Sequence, residues 1–156
     1  MRGKRAKRRE QKLDRKYQSP IIGRLINKVM QGGRKALAEK MVYAAIEKGA
    51  EEVKEKDVVT FVETIVDNIR PALEIKARRV GGANYQIPVP VSPRRQEALA
   101  IRWIVDSTRK KSGKSFDELL KLELVNAYNK EGDAVRKKID TEKMAEANKA
   151  FAHFRW

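Results

Sequence analysis

The chain has 156 residues, enough for one domain with a real core, and its 36 Lys+Arg against 21 Asp+Glu leave a net charge of +15. That excess points to a polyanionic partner, because each Lys or Arg placed on a phosphate releases condensed counterions. Cysteine is absent, which excludes disulfides, zinc fingers and thiol nucleophiles and fits a reducing cytoplasm; no apolar run approaches the ~20 residues of a membrane span, and no apolar signal segment follows the basic N-terminus.

The charge is segregated. Residues 1–16 carry a net +7 and residues 70–112 another +7, whereas residues 17–69 are neutral and residues 113–156 carry +1. A protein that is basic only for solubility need not concentrate its excess this way. Residues 1–16, MRGKRAKRREQKLDRK, bury too little to fold alone and read as a basic arm, disordered without a polyanion. Residues 17–156 form the folded domain.

Ser19-Pro20 opens the first helix as cap and first residue. Ile21, Ile22, Leu25, Ile26, Val29 and Met30 make its apolar stripe. Gly32-Gly33 ends it, and Arg34 and Lys35 begin a second helix that runs to about Val53. Cations at a helix start oppose the macrodipole, so the pair is either placed for a ligand or solvated at a turn. Both readings stay open here. Glu51 to Asp57 is an acidic connector, with Asp57 capping a third helix whose stripe is Val58, Phe61, Val62, Ile65, Val66 and Ile69. Pro71 ends that helix.

Two alternating runs then flank Gly81-Gly82 and predict an antiparallel hairpin over about residues 72–91. Matching apolar faces pairs 79 with 85, 77 with 87, 75 with 89 and 73 with 91. That register leaves a three-residue tip, Gly81-Gly82-Ala83, inside a Val80–Asn84 pair. A two-residue Gly-Gly turn is the rival; it sets Ile87 opposite Lys76 and Val89 opposite Glu74. Pro88 and Pro90 share one hydrogen-bonding phase and should face outward from the pair. Leu73, Ile75, Val89 and Val91 should rest on the body. The distal half, with Lys76, Arg78, Arg79 and Tyr85, should project.

Ser92-Pro93 restarts a helix. Arg95, Arg102 and Arg109 recur every seven residues, a spacing that drifts only ~20° per step and so lines one face. Ala98, Ile101, Ile104 and Val105 supply the apolar side. Guanidinium groups donate paired hydrogen bonds to phosphate, and the single acid Asp106 leaves the stripe under-neutralised. Trp103 reads as core, with a stacking platform as the alternative. Ser115 and Glu118 form a capping box for a helix to about Asn129. A last helix covers about Ala134 to Phe151, with Arg136, Lys137 and Lys138 in its first turns, and the aromatic end should pack back on the body.

Catalytic chemistry is missing. Gly113-Lys114-Ser115 mimics the end of a phosphate-binding loop, but the upstream glycine is replaced by Thr108. His153 is the one histidine, which leaves little scope for acid–base work or a metal. Glu51, Glu52 and Glu55 read as solvated. The expectations are no enzyme, no cofactor and no metal. On physics alone an architectural DNA-binding protein, with the ribbon as a minor-groove arm, is the rival to an RNA-binding one.

The run Arg78-Arg79-Val80-Gly81-Gly82-Ala83-Asn84-Tyr85-Gln86-Ile87-Pro88, with Val91-Ser92-Pro93-Arg94-Arg95, resembles the bacterial form of the small-subunit ribosomal protein seven family. So do Leu25-Ile26-Asn27-Lys28 with Gly33-Arg34-Lys35, and the end from Met144 to Trp156. The resemblance implies a mainly α, single-domain bundle of about six helices with one protruding two-stranded antiparallel hairpin. It implies a ribosome-bound, cytoplasmic constituent of the small subunit that binds the 3′ major (head) domain of small-subunit ribosomal RNA and nucleates head assembly. Its hairpin would lie near the exit-site tRNA and the decoding region, with small-subunit protein eleven as a neighbour. Carried onto this chain, the RNA contacts are Arg2, Lys4, Arg5, Lys7, Arg8 and Arg9 in the arm, and Arg34 and Lys35 after the first helix. On the hairpin they are Lys76, Arg78 and Arg79. Arg94, Arg95 and Arg102 follow on the next helix, with Arg109 added from its place on the same stripe, and Arg136, Lys137 and Lys138 precede the last. The tRNA-proximal tip is Gly81, Gly82, Ala83, Asn84 and Tyr85. The acidic connector departs from the family pattern in lacking a proline, and the chain ends at Trp156 without the extension some members carry.

Overall fold

Apolar stripes at helical spacing need a common place to be buried, and the helices here converge on one core. The computed structural model describes Gly3 and residues 12–154. Among them are six α-helices and one hairpin, in the order α1 (Pro20–Val29), α2 (Lys35–Val53), α3 (Val58–Ile69), β1 (Leu73–Val80), β2 (Ala83–Pro90), α4 (Pro93–Lys110), α5 (Phe116–Tyr128) and α6 (Asp133–Ala147); a 3₁₀ helix (Lys149–Phe154) follows. The core gathers Ile22, Leu25 and Ile26 of α1, Val42 and Ile46 of α2, Phe61 and Ile65 of α3, Ile104 of α4, and Leu120 and Leu124 of α5. Each such side chain contributes roughly 1.5–3 kcal/mol on burial.

The predicted helices form, but several boundaries and caps differ. Asp57 caps α3, accepting from the amides of Val59 and Thr60. Ser19, Ser92 and Ser115 occupy the cap positions of α1, α4 and α5, yet none uses its hydroxyl as a cap, so the Ser115–Glu118 capping box does not form. At α1 an aspartate takes over the local turn. Asp14, inside the stretch assigned above to the arm, is 4% exposed. Its carboxylate accepts from the amides of Lys16 (3.1 Å), Tyr17 (2.8 Å) and Ser19 (2.6 Å) and from the Tyr43 hydroxyl (3.2 Å). The last helix ends at Ala147 rather than near Phe151, and the chain tightens into the 3₁₀ segment. On α4, Ala98 is exposed and Leu99 and Ala100 are buried in its stead.

The hairpin adopts the rival register. Leu73 pairs with Pro90, Lys76 with Ile87, Arg78 with Tyr85 and Val80 with Ala83. The loop is therefore the two-residue Gly81-Gly82 turn. Both glycines have positive φ, 57° and 92°, the left-handed geometry that matches the twist of paired strands. Matching apolar faces failed because the hairpin is covered from more than one direction: α6 lies against β1, and the 3₁₀ helix lies along β2. Apolar residues are accordingly buried on both faces, Ile87 on one and Pro88 on the other. The proline phase is as expected. Val91 N–H donates to Ala72 O at 3.1 Å, so the ladder bonds fall on the odd residues of β2 and the prolines forfeit none. Nor does the distal half stand wholly clear of the body: the Tyr85 ring lies 5.2 Å from that of Phe151. Lys76, Arg78 and Arg79 are exposed.

Candidate nucleic-acid interface

The cations singled out by sequence fall into three structural situations. Arg2, Lys4, Arg5, Lys7, Arg8 and Arg9 lie outside the described residues. A second set is exposed: Arg34, Lys35, Lys76, Arg78, Arg79, Arg94, Arg95, Arg102, Arg109, Arg136 and Lys137. Lys138 is different, because its Nζ donates to the Asn68 carbonyl at 2.9 Å. Arg109, although exposed, also has a structural job: its Nη2 donates to the carbonyls of Lys28 (3.3 Å) and Val29 (3.1 Å) at the end of α1. A guanidinium at a helix C-terminus satisfies orphan carbonyls and complements the dipole.

Two contacts join the exposed cations into a larger surface. Glu74 of β1 bridges Lys76 and Arg95, with one oxygen 3.2 Å from Lys76 Nζ and the other 3.2 Å from Arg95 Nε. Hairpin and α4 are thereby tied at their junction. Further along α4, Arg102, Trp103, Asp106, Ser107, Arg109 and Lys110 line a cleft whose other wall is Lys137 of α6. The basic helix and the basic turn, separate in sequence, thus share one cleft. Asp106, the presumed neutraliser of Arg102, instead lies 3.9 Å from Lys28. Among the described residues Arg102 makes no ion pair. Sequence reasoning missed Lys110, whose role depends on how α6 lies against α4.

Other pairs hold the surface in place. Lys35 lies 3.7 Å from Glu39, one turn on, which leaves Arg34 as the freer member of that pair. Arg136 is 80% exposed at the start of α6, with Asp133 3.9 Å away. That start is fixed from below by Glu123, a fully buried carboxylate on α5. Glu123 Oε1 accepts from the Ala134 amide at 2.8 Å, and Oε2 pairs with the Lys111 ammonium. Lys111 also reaches Asp133 at 3.2 Å. Burial pulls the Lys111 amine down, but Glu123 and Asp133 more than offset it, and the net shift is upward. A carboxylate at a helix N-terminus is favourable. Gly132 permits it: its φ is 90°, and a Cβ there would meet Asn126 Cβ at 3.1 Å and Glu123 Oε1 at 3.2 Å.

The acids of the connector are partly engaged rather than solvated. Lys121 of α5 pairs with Glu52 at 2.7 Å, and the Tyr128 hydroxyl donates to Glu55 at 3.1 Å. Near the base of the arm, Lys16 Nζ lies 2.5 Å from Glu47 and the Tyr17 hydroxyl donates to the same oxygen at 2.7 Å. Burial, reinforced by Glu47, pushes the Tyr17 phenol up to about 12. No group of three or more metal-ligating side chains is present among the described residues.

A helical body carrying joined, under-neutralised cationic surfaces is the form of a small nucleic-acid-binding structural protein. The profile of the family described as Ribosomal protein S7p/S5e matches residues 1–149. Similar curated proteins bear the name small ribosomal subunit protein uS7. One from Nautilia profundicola is 49% identical over 156 residues, all of both chains. One from Pelagibacter ubique is 52% identical over 140 residues, 90% of this chain and 89% of its own. One from Borrelia duttonii is 48% identical over 143 residues, 92% and 91%. The chain therefore belongs to the ribosomal protein S7p/S5e family. It is a structural ribosomal protein of the small-subunit type its relatives are named for, ribosome-bound in the cytoplasm, with ribosomal RNA and ribosomal proteins as partners, and it is not an enzyme.

Proposed function

We propose that this chain is a primary binder of the 3′ major domain of small-subunit ribosomal RNA and nucleates assembly of the subunit head. The observation that carries the reading is the continuity of cations from the hairpin along α4 to α6, through the Glu74 bridge and the cleft around Arg102 and Lys137. Lys76, Arg78, Arg79, Arg94, Arg95, Arg102 and Lys137 position RNA phosphates, with Arg34, Lys35 and Arg136 as flanking contacts. Such contacts fix register, while RNA shape and splayed loops supply specificity. Arg109 and Lys138 act mainly by holding α1 and α6 in place. The basic residues from Arg2 to Arg9 add further contacts to RNA phosphates. The tip from Gly81 to Tyr85 reaches toward the exit-site tRNA near the decoding region, and small-subunit protein eleven is the neighbour on this side.

Site-directed crosslinking in assembled small subunits tests this. A photo-crosslinker on Lys137→Cys should mark nucleotides of the head domain, and one on Asn84→Cys should mark exit-site tRNA or the RNA beside it. Crosslinks confined to other RNA domains, or a pool of the protein that never joins the subunit, would overturn the reading.

A further inference from the structure

Trp103 packs against the core as a half-buried ring. At about 100° per residue it lies about 40° around α4 from the buried Leu99 and about 20° from the exposed Lys110, so it stands at the border between the core and the cleft of α4 and α6, and it forms one wall of that cleft. The other walls are polar: Arg102, Lys110 and Lys137 with Asp106 and Ser107. Core packing accounts for the buried part of the ring but not for the three cations that share its cleft. Asp106 is the one acid among these lining residues, against Arg102, Lys110 and Lys137, and it also lies 3.9 Å from Lys28.

From this we infer that the cleft is a nucleotide-binding site in which an unpaired base stacks on the Trp103 ring while Arg102, Lys110 and Lys137 hold the flanking phosphates. The inference rests on the RNA-binding reading above and adds what that reading lacks, a place for one splayed base. Every base offers a π-face, so stacking is tolerant of sequence, and an aromatic ring contributes most where the base has left its helix. The ligand class is therefore single-stranded RNA, at a bulge or loop, rather than duplex. Nearby Arg109 is occupied by the carbonyls of Lys28 and Val29, which fixes that edge of the cleft and leaves the other three cations to the phosphates.

Tryptophan fluorescence tests the site in the full chain. The chain has two tryptophans, so Trp156→Phe leaves Trp103 as the sole reporter. A head-domain RNA fragment should quench Trp103 emission by about half or more as it saturates the protein, whereas a fully paired RNA duplex and inorganic polyphosphate should leave it nearly unchanged. In the natural background, Trp103→Leu should weaken binding of the fragment about tenfold and Trp103→Phe by less than about threefold, because stacking needs a ring rather than bulk. Binding without quenching, or equal quenching by duplex and polyphosphate, would overturn the stacked base and leave the RNA-binding reading standing. No binding of the fragment at all would overturn both.

Discussion

Removal of the Glu123 carboxylate is the sharpest test of how the interface is held. Glu123 is fully buried and carries two partners, the Ala134 amide and the Lys111 ammonium. Glu123→Ala strands both. Breaking a buried pair by deleting one member costs about 3–5 kcal/mol. Here Lys111 retains Asp133 at 3.2 Å, and its side chain is 29% exposed, so water recovers part of the loss. The lower end, about 3 kcal/mol, is the expected destabilisation, and it includes the unpaired amide at the start of α6. Glu123→Gln keeps an acceptor for Ala134 while losing the charge, and should cost about half as much. Urea titration followed by circular dichroism measures both. With a slope of ~2 kcal/mol/M, Glu123→Ala shifts the midpoint by about 1.5 M. Exposed Glu118→Ala is the control, within ~0.5 kcal/mol of the natural chain. A loss below ~1 kcal/mol for Glu123→Ala, or equal losses for the two variants, would refute the anchoring role.

Further outcomes follow from the fold. Gly132→Ala, at φ 90° with Asn126 Cβ 3.1 Å and Glu123 Oε1 3.2 Å from the new Cβ, should destabilise by about 2 kcal/mol or more in the same titration. Gly82→Ala, with nothing within 4 Å, should cost only about 1 kcal/mol of backbone strain. Arg109→Ala should lower stability by about 1 kcal/mol through α1 while affecting RNA affinity less than Arg102→Ala does; the reverse order would contradict the assignment of their roles. The Lys16–Glu47–Tyr17 cluster predicts opposite pH limits. Glu47 is held below its ordinary 4.5, chiefly by the hydrogen bond from Lys16, so its stabilisation is full above 4.5 and is lost as pH falls further. Lys16 is raised above 10.5, chiefly by Glu47, so its share is full below 10.5 and is lost as pH rises through the higher folded value. Tyr17, neutral in the fold up to about 12 against an ordinary 10.0, adds a loss between those two values, because the unfolded phenol ionises first. Glu47→Gln should flatten both limits and bring the late tyrosine absorbance transition toward 10.0; an unmoved transition would contradict the contact.

The helices could be read in the sequence because each carries a one-sided apolar stripe. The stripe from Phe61 to Ile69 is buried as its spacing implies. The hairpin was legible as an element but not in register. Register follows burial only when one face is covered, and here α6 and the 3₁₀ helix cover different parts, so Ile87 opposite Lys76 is no conflict. The glycine pair itself was the better guide. Among the site residues, the alternation of roles within Arg136-Lys137-Lys138 was not legible. Lys138 turns inward to the Asn68 carbonyl, a partner 70 positions away, while Lys137 meets Arg102 across the cleft. Nothing local distinguishes Asp14 or Glu123 from an ordinary surface charge. Their importance arises from the amides that the fold brings to them.

If α4 and α6 present one cationic surface to RNA phosphates, the salt dependence of binding reports it directly. Affinity of the full chain for a head-domain RNA fragment, measured from low to moderate salt, falls with a slope set by the phosphates neutralised, about 0.7–0.9 each. Arg102→Ala with Lys137→Ala should weaken binding at every salt concentration and flatten that slope by about 1.5, with the urea midpoint unchanged. An unaltered slope and affinity in a folded double variant would contradict the claim.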